Sequence, residues 1–254
     1  MASWNPSQYL KFADHRLRPA LDLLARIPLG ECRTIWDLGC GTGNVTALLR
    51  ERWPQAAIAG LDSSPSMLDQ ARAIPGITWI EGDVARWTAP EPADLIFTNA
   101  VLHWVNDHAA LFPRLMRQLS RGGVLAVQMP RNFDAPSHTL LYETVRTGPW
   151  ADRLAGLLGS APVLPPDAYY DLLIPHATRI DLWETVYTHV LQGENAVLEW
   201  TKGTAVRPFL DALPATSHAE FLTAYAERLA SAYPRRKDGM TLFPFRRLFI
   251  VAQR

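Results

Sequence analysis

One run constrains the fold of this chain more than any other: Ile35-Trp36-Asp37-Leu38-Gly39-Cys40-Gly41-Thr42-Gly43-Asn44-Val45-Thr46. An apolar segment, 33–38, stops at three alternating glycines, and helical spacing follows over 45–52. That pattern reads as a strand, a tight turn and a helix N-terminus. Glycine lets the turn take positive φ and lets a ligand approach the backbone closely. The helix start at Asn44 presents unpaired N–H groups to a negative group. A dinucleotide fingerprint is the obvious first comparison, but its unequal glycine spacing does not fit, since Gly39, Gly41 and Gly43 are each two apart. Asp37, two residues before the first glycine, would repel a pyrophosphate and attract an ammonium. A dinucleotide site and a plain glycine turn stay open as alternatives.

Composition narrows the class. The chain has 254 residues and is 48% hydrophobic, enough for one domain or one domain with a cap. Its 25 basic and 25 acidic residues cancel, which gives no electrostatic case for nucleic acid or an anionic membrane as partner. The two cysteines, Cys32 and Cys40, do not form a readable disulfide framework. No run of about 18 apolar residues occurs, and no basic-then-apolar signal opens the chain. A soluble cytoplasmic protein is expected, with no metal site.

Read in order, 7–27 has helical apolar spacing, with Pro19 expected to break it or begin a second helix. Tyr9 and Arg16 on this stretch are either solvated or part of a lid reaching a cofactor carboxylate. Strands are expected at 57–62 and 77–81, with a helix at 65–73 that Ser64 could cap and Pro65 open. Asp62, followed by Ser63, sits at a strand tip, the usual partner of two ribose hydroxyls. Asp83 could accept from an adenine amino group or serve as a turn aspartate, with Val84 and Trp87 packing near the ring. The run 94–100 suits a strand buried on both faces, bringing Asn99 to the carboxyl edge where ligands bind in open α/β sheets. His103, beside Trp104, could be a base, a packed residue or a substrate contact. A helix over 111–119, ended by Arg121-Gly122-Gly123, precedes a strand over 124–129. Five strand–helix alternations in about the first 130 residues imply a parallel sheet with crossover helices. Beyond Pro130 the texture becomes proline- and aromatic-rich, then a strand over 179–191, a helical stretch over 194–232 and a closing strand over 248–252.

The Asp-x-Gly-x-Gly-x-Gly run, with Asp62, Asp83 and the 94–104 segment in register, resembles the class I S-adenosylmethionine-dependent methyltransferases. The likeness extends to Trp4-Asn5-Pro6, Arg16-x-Arg18-Pro19-Ala20, Leu125 to Pro130, Tyr169-Tyr170-Asp171, Arg207-Pro208 and Phe243-Pro244-x-x-Arg247. Together these blocks resemble the trans-aconitate 2-methyltransferase family. That resemblance implies a Rossmann-like α/β fold: a mostly parallel seven-stranded sheet with helices on both faces and a helical substrate cap. It also implies N-terminal lid helices at 1–28, a cofactor core at 29–130, and the remaining strands with the cap at 131–254, all in one compact unit. S-adenosyl-L-methionine would be the cofactor and a small polycarboxylate the substrate.

Chemistry agrees with that inventory. A carboxylate is ionised at neutral pH and is already a nucleophile, so no catalytic side chain is expected and His103 is not assigned as base. The remaining carboxylates of the substrate need forked donors. Arg207 and Arg247 are preferred over Arg246, with His103, Trp104, Gln128, Tyr169, Tyr170 and Trp200 as further contacts. The rival readings are methylation of another carboxylate, such as a malonyl thioester, and a cofactor-binding protein without activity.

Overall fold

The computed structural model describes residues 13–159 and 162–254, with side chains from residue 17 onward. These residues fall into two units. The sheet unit comprises Ala13–Pro130, Pro162–Thr185 and Arg247–Arg254. The helical unit comprises residues 131–159 and 186–246.

The strands are β1 (Thr34–Leu38), β2 (Ala57–Asp62), β3 (Thr78–Glu81), β4 (Ala93–Asn99), β5 (Leu119–Pro130), β6 (Arg179–Gln192) and β7 (Met240–Gln253). They form one seven-stranded sheet in the order β3-β2-β1-β4-β5-β7-β6. Every pairing from β3 to β5 is parallel, and β7 runs antiparallel to β5. Strands β1 and β4 are buried nearly end to end, as their largely apolar runs imply. The fold is the Rossmann-like α/β fold expected.

The α-helices are α1 (Ala13–Ala25), α2 (Asn44–Arg52), α3 (Pro65–Ala71), α4 (His108–Arg117), α5 (Pro136–Thr147), α6 (Ala151–Leu154), α7 (Pro166–Leu173), α8 (Ala196–Lys202), α9 (Arg207–Ala212) and α10 (Ala215–Ala232). The helical unit has its own apolar core, in which Trp150, Trp200, Phe209, Phe221, Tyr225 and Phe243 meet.

Several details differ from expectation. Pro19 lies inside a continuous α1. Its missing N–H removes one helical bond, yet Ala20 and Leu23 are wholly buried on that helix, and their packing holds it through the proline. Helix α4 starts and ends earlier than its apolar spacing suggested, because Asp107 caps it by accepting from the Ala110 N–H at 3.1 Å. The Arg121-Gly122-Gly123 run does not end that helix. It belongs to β5, where the pairing with β4 shifts register between Ala93 and Leu95. Finally, β7 begins at Met240 rather than Leu248, since Thr241 and Phe243 are buried in alternation ahead of the fully apolar stretch.

Candidate functional site

The glycine turn emerges from β1 with Gly39, Gly41 and Gly43 all in the left-handed region, at φ 76°, 56° and 79°. The Gly39 and Cys40 amides donate to the Leu61 carbonyl at 2.7 and 3.0 Å, which ties the turn to the end of β2. A Cβ on Gly39 would lie 2.2 Å from a Val101 methyl, so the segment after β4 presses directly on this turn. A Cβ on Gly41 would meet no heavy atom within 4 Å, so the backbone there borders open space.

Asp62 organises the same edge. Its Oδ2 accepts from the Gly41 N–H at 2.8 Å and its Oδ1 from the Ser64 N–H at 2.9 Å. Each carboxylate oxygen retains a second acceptor direction. Ser64 occupies the cap position of α3 with Pro65 following, but its hydroxyl lies against Ser66 Oγ at 3.1 Å and makes no cap bond. Ser63 and Asn44 are exposed at this edge, Asn44 being the first residue of α2.

Asp37 is only 2% exposed and accepts the Thr46 hydroxyl at 2.6 Å. Burial pushes its carboxyl up to about 7; the Thr46 bond opposes that rise and nearby Asp62 adds to it. Thr46 was not anticipated as a site residue, although a hydroxyl on the buried face of α2, just after the turn, was the available signal.

Asp83 is exposed and closes a turn, its Oδ1 accepting from the Ala85 N–H at 2.8 Å. Val84 is buried, and Trp87 is packed against Trp36 with ring centroids 5.1 Å apart. Asn99 and Gln128 are in-register partners at the carboxyl ends of β4 and β5. Asn99 Oδ1 is buried and accepts no hydrogen bond among the described residues. Gln128 is wholly buried; its Oε1 receives Arg247 Nη1 at 3.4 Å, while its Nε2 has no acceptor among the described residues. Arg247 is itself only 6% exposed.

Arg246, its neighbour on β7, serves the helical unit. Its Nε donates to the Arg131 carbonyl at 2.9 Å and its Nη2 pairs with Asp134. Because β7 begins early enough to include both, alternation along the strand separates the two arginines.

The remaining expected contacts scatter. His103 is half-buried against Trp104, and Trp104 is 56% exposed. Tyr169 does not offer its hydroxyl to a ligand pocket: the side chain is fully buried, and its oxygen bonds His108 Nδ1 at 2.5 Å and the Leu164 N–H at 3.2 Å. Tyr170 is exposed. Trp200 packs in the helical unit, stacked on His189 at 4.5 Å. Arg207, in the same unit, lies 3.6 Å from Asp211 one turn along α9. Tyr9 and the side chain of Arg16 lie outside the described residues.

Residues 35–123 match the family described as a methyltransferase domain. The chain is 54% identical over 255 residues to the trans-aconitate 2-methyltransferase of Azoarcus sp. (strain BH72), with 100% of each chain covered. It is 49% identical to the enzyme of that name from Rhodopseudomonas palustris (strain BisB18), with 99% of each covered. Among solved structures, the YcgJ protein of Bacillus subtilis superposes with a TM-score of 0.58 at 14% identity, covering 93% of this chain and 98% of that one. A putative sarcosine dimethylglycine methyltransferase from Galdieria sulphuraria gives 0.58 at 13%, covering 99% and 91%. At such identities the two structures speak for the fold alone.

Proposed function

Because the chain belongs to the trans-aconitate 2-methyltransferase family, we propose that it esterifies a carboxylate of trans-aconitate with the methyl group of S-adenosyl-L-methionine, giving a monomethyl ester. The glycine turn fits such a cofactor: the backbone at Gly41 borders open space, and both Asp62 oxygens keep acceptor capacity. Asp62 would hold the ribose hydroxyls, Asp37 the ammonium, and Asp83 with Val84 the adenine. Gly39, Gly43, Asn44, Ser63 and Asn99 line the same edge, and Tyr9 and Arg16 are assigned to a lid at 1–28 over the core at 29–130. When bound, the cofactor supplies an electrophilic methyl group on a sulfonium centre.

The residues then have three tasks. They must orient the acceptor oxygen in line with the methyl, neutralise the carboxylates that do not react, and exclude water. No proton has to be removed from a carboxylate, so His103 needs no base role. It and Trp104 are assigned to acceptor contact. The observation that carries the acidic acceptor is the buried Arg247–Gln128 pair. Arginine only donates, so it fixes the Gln128 oxygen toward itself and leaves Nε2 aimed elsewhere. A buried N–H without an acceptor is costly, and a substrate carboxylate would satisfy it. Arg207 is proposed as a second cation, with Tyr170 and Trp200 from the expected set as lesser contacts and 131–254 supplying the cap. A small polycarboxylate, a cytoplasmic location and no nucleic-acid or membrane partner complete the reading. The zero net charge gives no electrostatic pull toward nucleic acid or an anionic membrane, and no helix among the described residues is long and apolar enough to cross a membrane.

A methyl-transfer assay against a panel of tricarboxylic and dicarboxylic acids and a malonyl thioester tests this. The expected product is one methyl heavier than trans-aconitate and labile to base. Transfer to the thioester alone, or binding of S-adenosylhomocysteine with no transfer to any acid, would overturn it.

A further inference from the structure

The polar atoms of His108 and Tyr169 form a closed chain of bonds in the sheet unit. His108 Nε2 lies 2.9 Å from the Leu102 carbonyl, which only accepts, so Nε2 carries the proton. Burial favours the neutral ring. Nδ1 is then an acceptor, and the Tyr169 O–H donates to it at 2.5 Å while its oxygen receives the Leu164 N–H. Phe112 packs against both rings, with centroids 5.3 and 4.7 Å away. The network therefore fixes one backbone carbonyl, that of Leu102, from the direction of α4 and α7.

That carbonyl belongs to a strained segment. Ala100, at the end of β4, has φ 58°, a left-handed conformation that an L side chain rarely adopts. Such strain persists only where the surroundings over-determine it. One restraint is the Ala100 N–H donating to the Gln128 carbonyl at 2.9 Å. A second is the Val101 side chain wedged over Gly39. The third is the bond from His108 to Leu102. His103 and Trp104 follow at once in a single 3-10 turn, Leu102–Trp104.

We propose that His108 and Tyr169 are positioning residues: through the Leu102 carbonyl they hold the Ala100–Trp104 segment in its left-handed bend and so set where His103 and Trp104 meet the methyl acceptor. The kinetic side of this rests on the methyltransferase reading above; the structural side does not. The substitution Tyr169→Phe removes one hydroxyl and keeps the ring. Backbone hydrogen exchange over 100–105 should then quicken about tenfold or more in the intact protein with S-adenosylhomocysteine bound. The KM for trans-aconitate should rise roughly fivefold or more, while S-adenosylhomocysteine affinity changes less than about threefold. Adding Ala100→Gly to Tyr169→Phe should restore much of the KM, because glycine adopts the bend without strain. If Tyr169→Phe fails to fold, His108→Gln, which keeps a donor for Leu102, takes its place with His108→Leu as its contrast; only the leucine variant should loosen the segment. A lowered melting temperature with unchanged exchange and unchanged KM would overturn the proposal, as would no rescue by Ala100→Gly. If wild-type protein methylates no acid, the functional reading fails, and the exchange measurement still decides the positioning role.

Discussion

Asp62 joins two loops, since one carboxylate holds the amides of both Gly41 and Ser64. Asp62→Ala should weaken S-adenosylmethionine binding by roughly 2–3 kcal/mol, the loss for charged hydrogen bonds; unchanged affinity by calorimetry would remove it from the ribose. Asp37 brings a pH dependence of definite sign. Its carboxyl, raised to about 7 mainly by burial, keeps a proton in the folded state. The unfolded chain loses that proton near pH 4. Between those values the unfolded state binds fewer protons, so the ligand-free protein should lose stability as pH rises, by at most about 1.4 kcal/mol per pH unit. Asp37→Asn should flatten melting temperature against pH, and an ammonium-bearing ligand should oppose the loss in wild type. Arg247→Met should cost about 2–4 kcal/mol in kcat/KM for the tricarboxylate, as for breaking a buried charge pair, with cofactor affinity unmoved. An equal loss on an acceptor lacking that carboxylate would exclude it as a clamp. At this scale the sequence was legible in position: Asp62 stands at the end of β2, as its place after an apolar run implied. It did not reveal that Tyr169, read as a substrate contact, bonds His108, because the two lie 61 residues apart and no periodicity links two buried polar groups.

Elements were legible where one face or both faces are apolar, and their ends were not. Bonds at the ends come from single polar atoms, as with Asp107 on α4. Asp94 shows the same at the amino edge of the sheet: it accepts from the Arg33 and Thr34 amides at 2.8 and 3.3 Å and from Ser120 Oγ at 2.8 Å. Burial alone would raise its carboxyl, but those three bonds outweigh it and hold the group below its usual range. Asp94→Ala should therefore destabilise by about 1.5–3 kcal/mol at neutral pH. A group depressed in the folded state contributes above its unfolded pKa and loses that contribution on acidification. Urea melts should show the deficit shrinking toward about pH 3. A deficit independent of pH would mean that the bonds, not the charge, matter. Gly123 explains why a glycine pair read as a helix stop lies within a strand. A Cβ there would approach the Ala93 carbonyl to 2.8 Å.

For the whole molecule, the alternation of strands and helices through the first five strands was enough to fix the sheet, and the glycine run was enough to locate the turn between β1 and α2. The division into units was hidden because each is discontinuous: the chain changes unit after Pro130, before Pro162, after Thr185 and after Arg246. Strands β6 and β7 each contribute residues to both. No cut in the sequence separates them. A fragment ending at Pro130 holds the complete glycine turn, yet it lacks β7, which pairs with β5 from Val124 to Pro130. That fragment should aggregate through the open edge of β5 and show no cooperative thermal transition, checked by circular dichroism and light scattering. A soluble fragment that binds S-adenosylhomocysteine would refute this.

The strand order has a consequence in time. On a ribosome β6 is made before β7, but β7 lies between β5 and β6 in the finished sheet. Helices α8 to α10 are translated in the interval, about a few seconds at ordinary elongation rates. Throughout that interval the nascent β5 and β6 each lack the neighbour they will finally have, and their open edges can pair with other chains.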